Sequence, residues 1–197
     1  MIKIQEVDKD YYKFKLSFKG KLIENSVDAY DVANTIIATS NILQEIAEIK
    51  LGKETSDKLK INIHAFKKGS LDTDFLINAL DTAVASAPAL LPVATNIFAT
   101  GKNILSTFKT YLEIKKALKG EQPTEIKALS NNKFELKVNG DGNNVNFILN
   151  AQDLRVLQSK TIEKNTEKAV QSLTKPDSLI EEIDYSPDEI APVKITK

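Results

Sequence analysis

No cysteine occurs in the 197-residue chain, which removes thiolate catalysis, disulfide staples and every zinc or iron–sulfur site built on Cys ligands. Histidine is almost as scarce. The single one, His64, falls on the polar side of a strand-like run beside Asn62 and Phe66, and no second activated group accompanies it. It reads as a surface or hydrogen-bonded residue rather than a general base. Net charge is missing too: 27 Lys and Arg balance 27 Asp and Glu, so no global field draws the chain to nucleic acid or anionic lipid. Glycine-rich phosphate loops are absent, because Asn139-Gly140-Asp141-Gly142 joins two strands and does not open a helix. The same turn lacks the ligand spacing and terminal Glu of a calcium loop. The start, MIKIQEVDKDYYKFK, has no apolar core of signal-peptide length. That predicts a cytoplasmic protein, with association to the inner membrane from the cytoplasmic side still allowed.

What the chain does have is the composition of a folded protein, 42% hydrophobic and 27% charged, with length for one domain or two small ones. It also has one stretch without any charge, Thr82 to Gly101, reading TAVASAPALLPVATNIFATG. Such a stretch faces protein core, a partner subunit or lipid. Its length suits a bilayer crossing of about 20 residues, while Ser, Thr, Asn96 and two prolines lower its hydrophobicity. Small residues at Ala83, Ala87, Ala94, Ala99 and Gly101 suit closely packed helices.

The flanking sequence predicts an α+β fold. Tyr12, Phe14, Leu16 and Phe18 alternate with Lys13, Lys15 and Ser17, as in a half-buried strand. Asn25 or Ser26 is read as the N-cap of a helix that buries Tyr30, Ala33, Ile36 or Ile37, Ser40, Leu43, Ile46 and Ala47 and ends at Gly52. Leu59 to Phe66 and Leu71 to Ile77 read as a hairpin around Gly69. Pro88 and Pro92 break the apolar segment into a short helix to about Ala87 and a longer one from Val93 to about Lys119, with Gly120 as its C′ residue. Lys133 to Val138 and Val145 to Leu149 form a second hairpin with Val145, Phe147 and Leu149 inward. One polar-rich helix, about Gln152 to Leu173, follows, then a strand near Leu179 to Tyr185 and a loose tail. The implied organisation is an N-terminal α+β unit over 1–77, a central apolar helical segment over 78–121, a hairpin and helix unit over 122–185 and a mobile tail over 186–197.

Candidate chemistry is sparse. Asp72, Asp74 and Asp81 read as a solvated strand face and a helix start, not a metal site, since no third ligand can be fixed. No nucleophile, metal cluster or phosphate loop is present, so the chain reads as a non-enzyme without a cofactor. Lys67, Lys68, Lys115, Lys116 and Lys119 are basic pairs able to meet the phosphates of a lipid or nucleotide, or simply turn and helix-end charges. Asp81, Leu90, Leu91, Val93, Ile97 and Phe98 are the candidate pore or oligomer core.

Lys68-Gly69-Ser70-Leu71-Asp72, the Pro-broken apolar segment, Glu113-Ile114-Lys115-Lys116-Ala117-Leu118-Lys119-Gly120-Glu121-Gln122-Pro123 and the Asn139-Gly140-Asp141-Gly142 hairpin together resemble a family of small bacterial proteins from phage-defence islands. The resemblance, over about residues 14 to 185, is to the membrane-effector subunit of a Hailong-type two-gene system. It implies an oligomeric, ligand-gated ion channel opened by a nucleotide or oligonucleotide signal from a nucleotidyltransferase partner. Two functions follow as expectations. The first is a homo-oligomeric, membrane-acting antiphage effector whose central helices form or gate a pore in the lipid bilayer; the second is a soluble homo-oligomeric binding or adaptor protein with a buried intersubunit helical bundle.

Overall fold

The computed structural model of the chain describes residues 11–20, 27–64, 71–79, 97–119, 121–140 and 143–197. The N-cap candidates Asn25 and Ser26, the turn at Gly69 and the break between Pro88 and Pro92 lie outside these residues.

The fold is α+β. Its larger sheet has the order β2-β3-β1-β7-β8 and every pairing in it is antiparallel. Strand β1 is Tyr11–Lys19, β2 Leu59–Ile63, β3 Asp72–Ala79, β7 Glu182–Pro187 and β8 Val193–Thr196. A second antiparallel sheet, ordered β4-β5-β6, comprises Glu125–Ala128, Lys133–Gly140 and Asn143–Asn150. The helices are α1 (Ala29–Leu51), α2 (Lys53–Ser56), α3 (Ile97–Leu118), α4 (Ala151–Gln158) and α5 (Lys160–Thr174).

The period-2 alternation of β1 does what it predicts: Tyr12, Phe14, Leu16 and Phe18 are all buried on one face. Opposite them in register lie Ile77, Phe75 and Thr73 of β3, and Phe14 stacks on Phe75 at a centroid distance of 4.6 Å. On the far face, Lys13 pairs with Asp74 at 2.8 Å, and Lys19 reaches Glu182 at 2.9 Å and Asp184 at 3.1 Å. Asp74 is therefore an ion-paired residue with 7% of its surface exposed, not part of a freely solvated face. The β2–β3 pairing is as expected, with Leu59 opposite Ala79 and Ile63 opposite Phe75.

Helix α3 is the shared support of both sheets. Its middle turns bury Ile104, Leu105, Phe108, Tyr111 and Leu112 in the main core, where Phe108 meets Tyr185 edge-on at 5.3 Å. Its last turns bury Ile114 and Leu118 against Leu136, Val138 and Leu149 of the small sheet. The helix ends at Leu118, and Lys119 just past it takes the left-handed conformation (φ 48°) that Gly120 was expected to supply.

Several expectations are corrected. Asp28, not an earlier residue, caps α1: its side chain accepts from the Tyr30 amide at 2.7 Å. Tyr30 and Ile37 point outward, at 78% and 58% exposure. The inward stripe is Val32, Ile36, Leu43, Ile46 and Ala47, because the helix packs against α5 and α3 in the main core. Val145 is 39% exposed despite its inward parity, since it lies on the outer strand β6, whereas its register partner Val138 on the central strand β5 is buried. The predicted helix over Gln152 to Leu173 is two helices, because Ser159 adopts an extended conformation, closes α4 and caps α5 by accepting from the Ile162 amide.

The stretch read as a loose tail contains β8, whose Val193 and Ile195 sit opposite Tyr185 and Ile183 of β7. Strand β7 in turn pairs with β1 along Phe14 to Lys19. Segments assigned to N-terminal and C-terminal units by sequence thus contribute to one sheet and one hydrophobic core, which runs from Tyr12 to Val193.

Candidate functional site

The described residues on either side of the uncharged stretch meet the start of β1. At its near end, Asn78 of β3 lies opposite Tyr11. At its far end, Gly101 in the second turn of α3 rests on the neighbouring residue: a Cβ built on Gly101 would fall 2.3 Å from the Tyr12 Cβ. Only a residue without a side chain permits this approach. Of the six candidate pore or oligomer residues, Ile97 and Phe98 lie in the first turn of α3, whereas Asp81, Leu90, Leu91 and Val93 lie outside the described residues.

Of the five basic candidates, Lys115, Lys116 and Lys119 lie together at the end of α3. Lys67 and Lys68 lie outside the described residues. Lys115 is committed to a salt bridge with Glu163 at 3.0 Å, which ties α3 to α5. Lys160 holds the same carboxylate at 2.9 Å, and the two ammonium groups pull the Glu163 pKa down to about 2. Lys116 and Lys119 are exposed at the end of α3.

His64 is exposed and its backbone amide donates to the Asp74 carbonyl at 2.8 Å, continuing the β2–β3 ladder. Among the described residues no group of three or more His, Asp and Glu side chains is arranged to hold a metal ion. The buried phenols sit far from neutrality: burial pushes Tyr185 up to about 12, and burial together with the carboxylates of Asp188 and Glu189 does the same to Tyr12.

One concave surface is new relative to the sequence reading. Val27, just before α1, and Ala33, Ile36 and Ile37 of that helix line one side of a cavity of about 470 Å³, with Ile63 of β2 and Leu71 on the other. That volume is within the range of small-ligand pockets, about 300–1,000 Å³, though the polar groups that fix orientation in such pockets are not part of its lining. Its signal was present in the sequence as apolar residues on two faces of α1, which were merged into one expected core stripe.

No helix among the described residues is long and apolar enough to cross a membrane. In α3, Lys102, Lys109, Glu113, Lys115 and Lys116 interrupt every apolar run. Comparison with protein families, curated proteins and solved structures found no match.

Proposed function

We propose that this chain is a homo-oligomeric, membrane-acting effector of the antiphage type implied by its resemblance, and that it works through assembly rather than catalysis. The observation that carries this reading is the bracket formed by Tyr11 and Tyr12. Asn78 and Gly101 both lie beside that pair, so the chain leaves and re-enters the α+β body at neighbouring points. Copies gathered about an axis bring their uncharged stretches together as the lining or gate of a pore. Helix α3 runs from that bracket into the cores of both sheets, which couples any nucleotide or oligonucleotide bound on the body to the stretch. A nucleotidyltransferase partner is the source of such a ligand in this scheme.

The second reading, a soluble homo-oligomeric adaptor, is favoured by two other features. The groove beside α1 offers an apolar binding surface. In addition, leaving and rejoining the body at one place demands an even number of crossings, and two crossings take on the order of 40 residues, more than lie between Ala79 and Ile97.

Membrane fractionation of the tagged protein, with light scattering in mild detergent and dye leakage from cells, separates the two. For the effector, Phe98→Lys abolishes leakage while yield and oligomer size stay normal. A protein that stays in the soluble fraction and never causes leakage removes the effector and leaves the adaptor; a monodisperse monomer removes both.

A further inference from the structure

The four outer strands of the two sheets are protected unequally. Strand β2 has five residues and carries Lys60; β8 has four, carries Lys194 and follows Pro192; β4 has four, carries Glu125 and Lys127 and lies just after Pro123. Short length, charge and proline are the devices by which sheet edges avoid pairing with other chains. Strand β6 has none of them. It has eight residues, Asn-Asn-Val-Asn-Phe-Ile-Leu-Asn, with neither a charge nor a proline, and among the described residues it borders β5 on one side only.

From this contrast we infer that β6 is an association edge, and that its occupant is the β6 strand of a second copy, paired antiparallel about a two-fold axis. The inference deepens the homo-oligomeric half of the proposed function and rests on it. Alternate residues of an edge strand aim their N–H and C=O groups outward, and an antiparallel copy satisfies them reciprocally. The side chains favour a like partner. Toward α3 the row is Val145, Phe147 and Leu149, of which Val145 is 39% exposed and Phe147 half-buried. The copy extends this row and covers what the chain's own helices leave open. On the other face the row is Asn146, Ile148 and Asn150, with Ile148 at 55% exposure. Facing residues of such a pair come within about 5 Å at Cβ, where like charges would repel and these uncharged side chains do not. A differently charged partner would find nothing on β6 to recognise. The product is a continuous six-stranded sheet across the axis.

Ile148→Lys is the first test. In register Ile148 lies opposite Glu135 of β5, so a lysine there gains a cross-strand partner within its own chain while setting two cations near each other across the axis. Sedimentation velocity of the full chain in mild detergent is expected to show an assembly for the wild type. Ile148→Lys, and the double variant with Asn146→Lys, should halve the number of copies in it or yield the 21.8 kDa chain, with unchanged far-ultraviolet circular dichroism. Because the protein has no cysteine, a single Ile148→Cys treated with a short bismaleimide should give a covalent dimer, and Glu125→Cys on the β4 edge should not. An assembly that survives both lysine variants, or equal cross-linking from β4 and β6, overturns the β6 interface while leaving a homo-oligomer in place. A wild-type monomer overturns both.

Discussion

The ammonium of Lys50 lies 2.5 Å from the carboxylate of Asp153, joining the last turn of α1 to the first turn of α4. The two partners are not equivalent. Asp153 also completes a capping box with Asn150 and accepts from the Thr107 hydroxyl at 3.4 Å, so one carboxylate serves three helices. The Lys50 side chain is only 8% exposed. Removing Asp153 strands a nearly buried cation, which costs about 3–5 kcal/mol, and also opens the capping box. Removing Lys50 leaves Asp153 with its cap. We therefore expect Asp153→Ala to destabilise the fold by about 3 kcal/mol or more and Lys50→Met by clearly less, read by urea denaturation.

At Gly101 even one added methyl group is excluded by contact with Tyr12. Gly101→Ala should lower stability by about 1–3 kcal/mol through overpacking, despite the better helix propensity of alanine. Gly101→Ala combined with Tyr12→Gly, which removes the Cβ that the new methyl group meets, relieves the collision but empties the core position. A double-mutant cycle should then give a coupling energy of opposite sign to the Gly101 penalty. Additive effects would mean that the helix and β1 are not in contact.

Deleting residues 191–197 tests the edge strand. The deletion removes Val193 and Ile195 from opposite Tyr185 and Ile183 and bares β7 to other chains. The expected outcome is loss of soluble protein or a melting temperature lower by several degrees. Unchanged solubility and melting would show that β8 contributes nothing to the fold.

Glu163 sets an acid limb on stability. Its carboxyl, held by Lys160 and Lys115, has its pKa lowered from 4.5 to about 2 in the folded chain. A carboxylate with a depressed folded pKa contributes stability that is fully present above the unfolded value and is lost as pH falls through the folded one. The stability difference between wild type and Glu163→Gln should therefore be constant above about pH 5 and shrink toward zero between about pH 4.5 and pH 2. Exposure of the three side chains keeps the effect small. Added salt should reduce it further.

Legibility in the sequence followed how local each cause is. The alternation in Tyr12 to Phe18 and the turn Asn139 to Gly142 act within a few residues, and both strand and hairpin pairings were readable from them. Strand β4 was missed, although Asn131 and Asn132 take the left-handed conformations (φ 59° and 58°) that a tight hairpin turn needs. All four of its residues are exposed, so no hydrophobic pattern marked it. Strand β8 owes its order to β7, and the division at Ser159 depends on a hydroxyl that caps one helix just after another ends. On the functional side, the composition of the uncharged stretch was plain. The engagement of Lys115 by Glu163, the groove beside α1 and the shared edge at Tyr11 and Tyr12 all join residues distant in sequence, which periodicity cannot register.

The strand order of the large sheet also sets a timetable. Strand β1 leaves the ribosome early, yet one of its two neighbours, β7, is formed by residues 182–187. Synthesis runs at about 5–20 residues per second, so the β1 edge waits on the order of ten seconds for its partner. During that interval the nascent chain holds an uncharged stretch and an open strand together. Closure of the sheet by β7 and β8 is then the step that removes the open edge, and strand pairing between nascent chains on one polysome is the hazard that this order of synthesis creates.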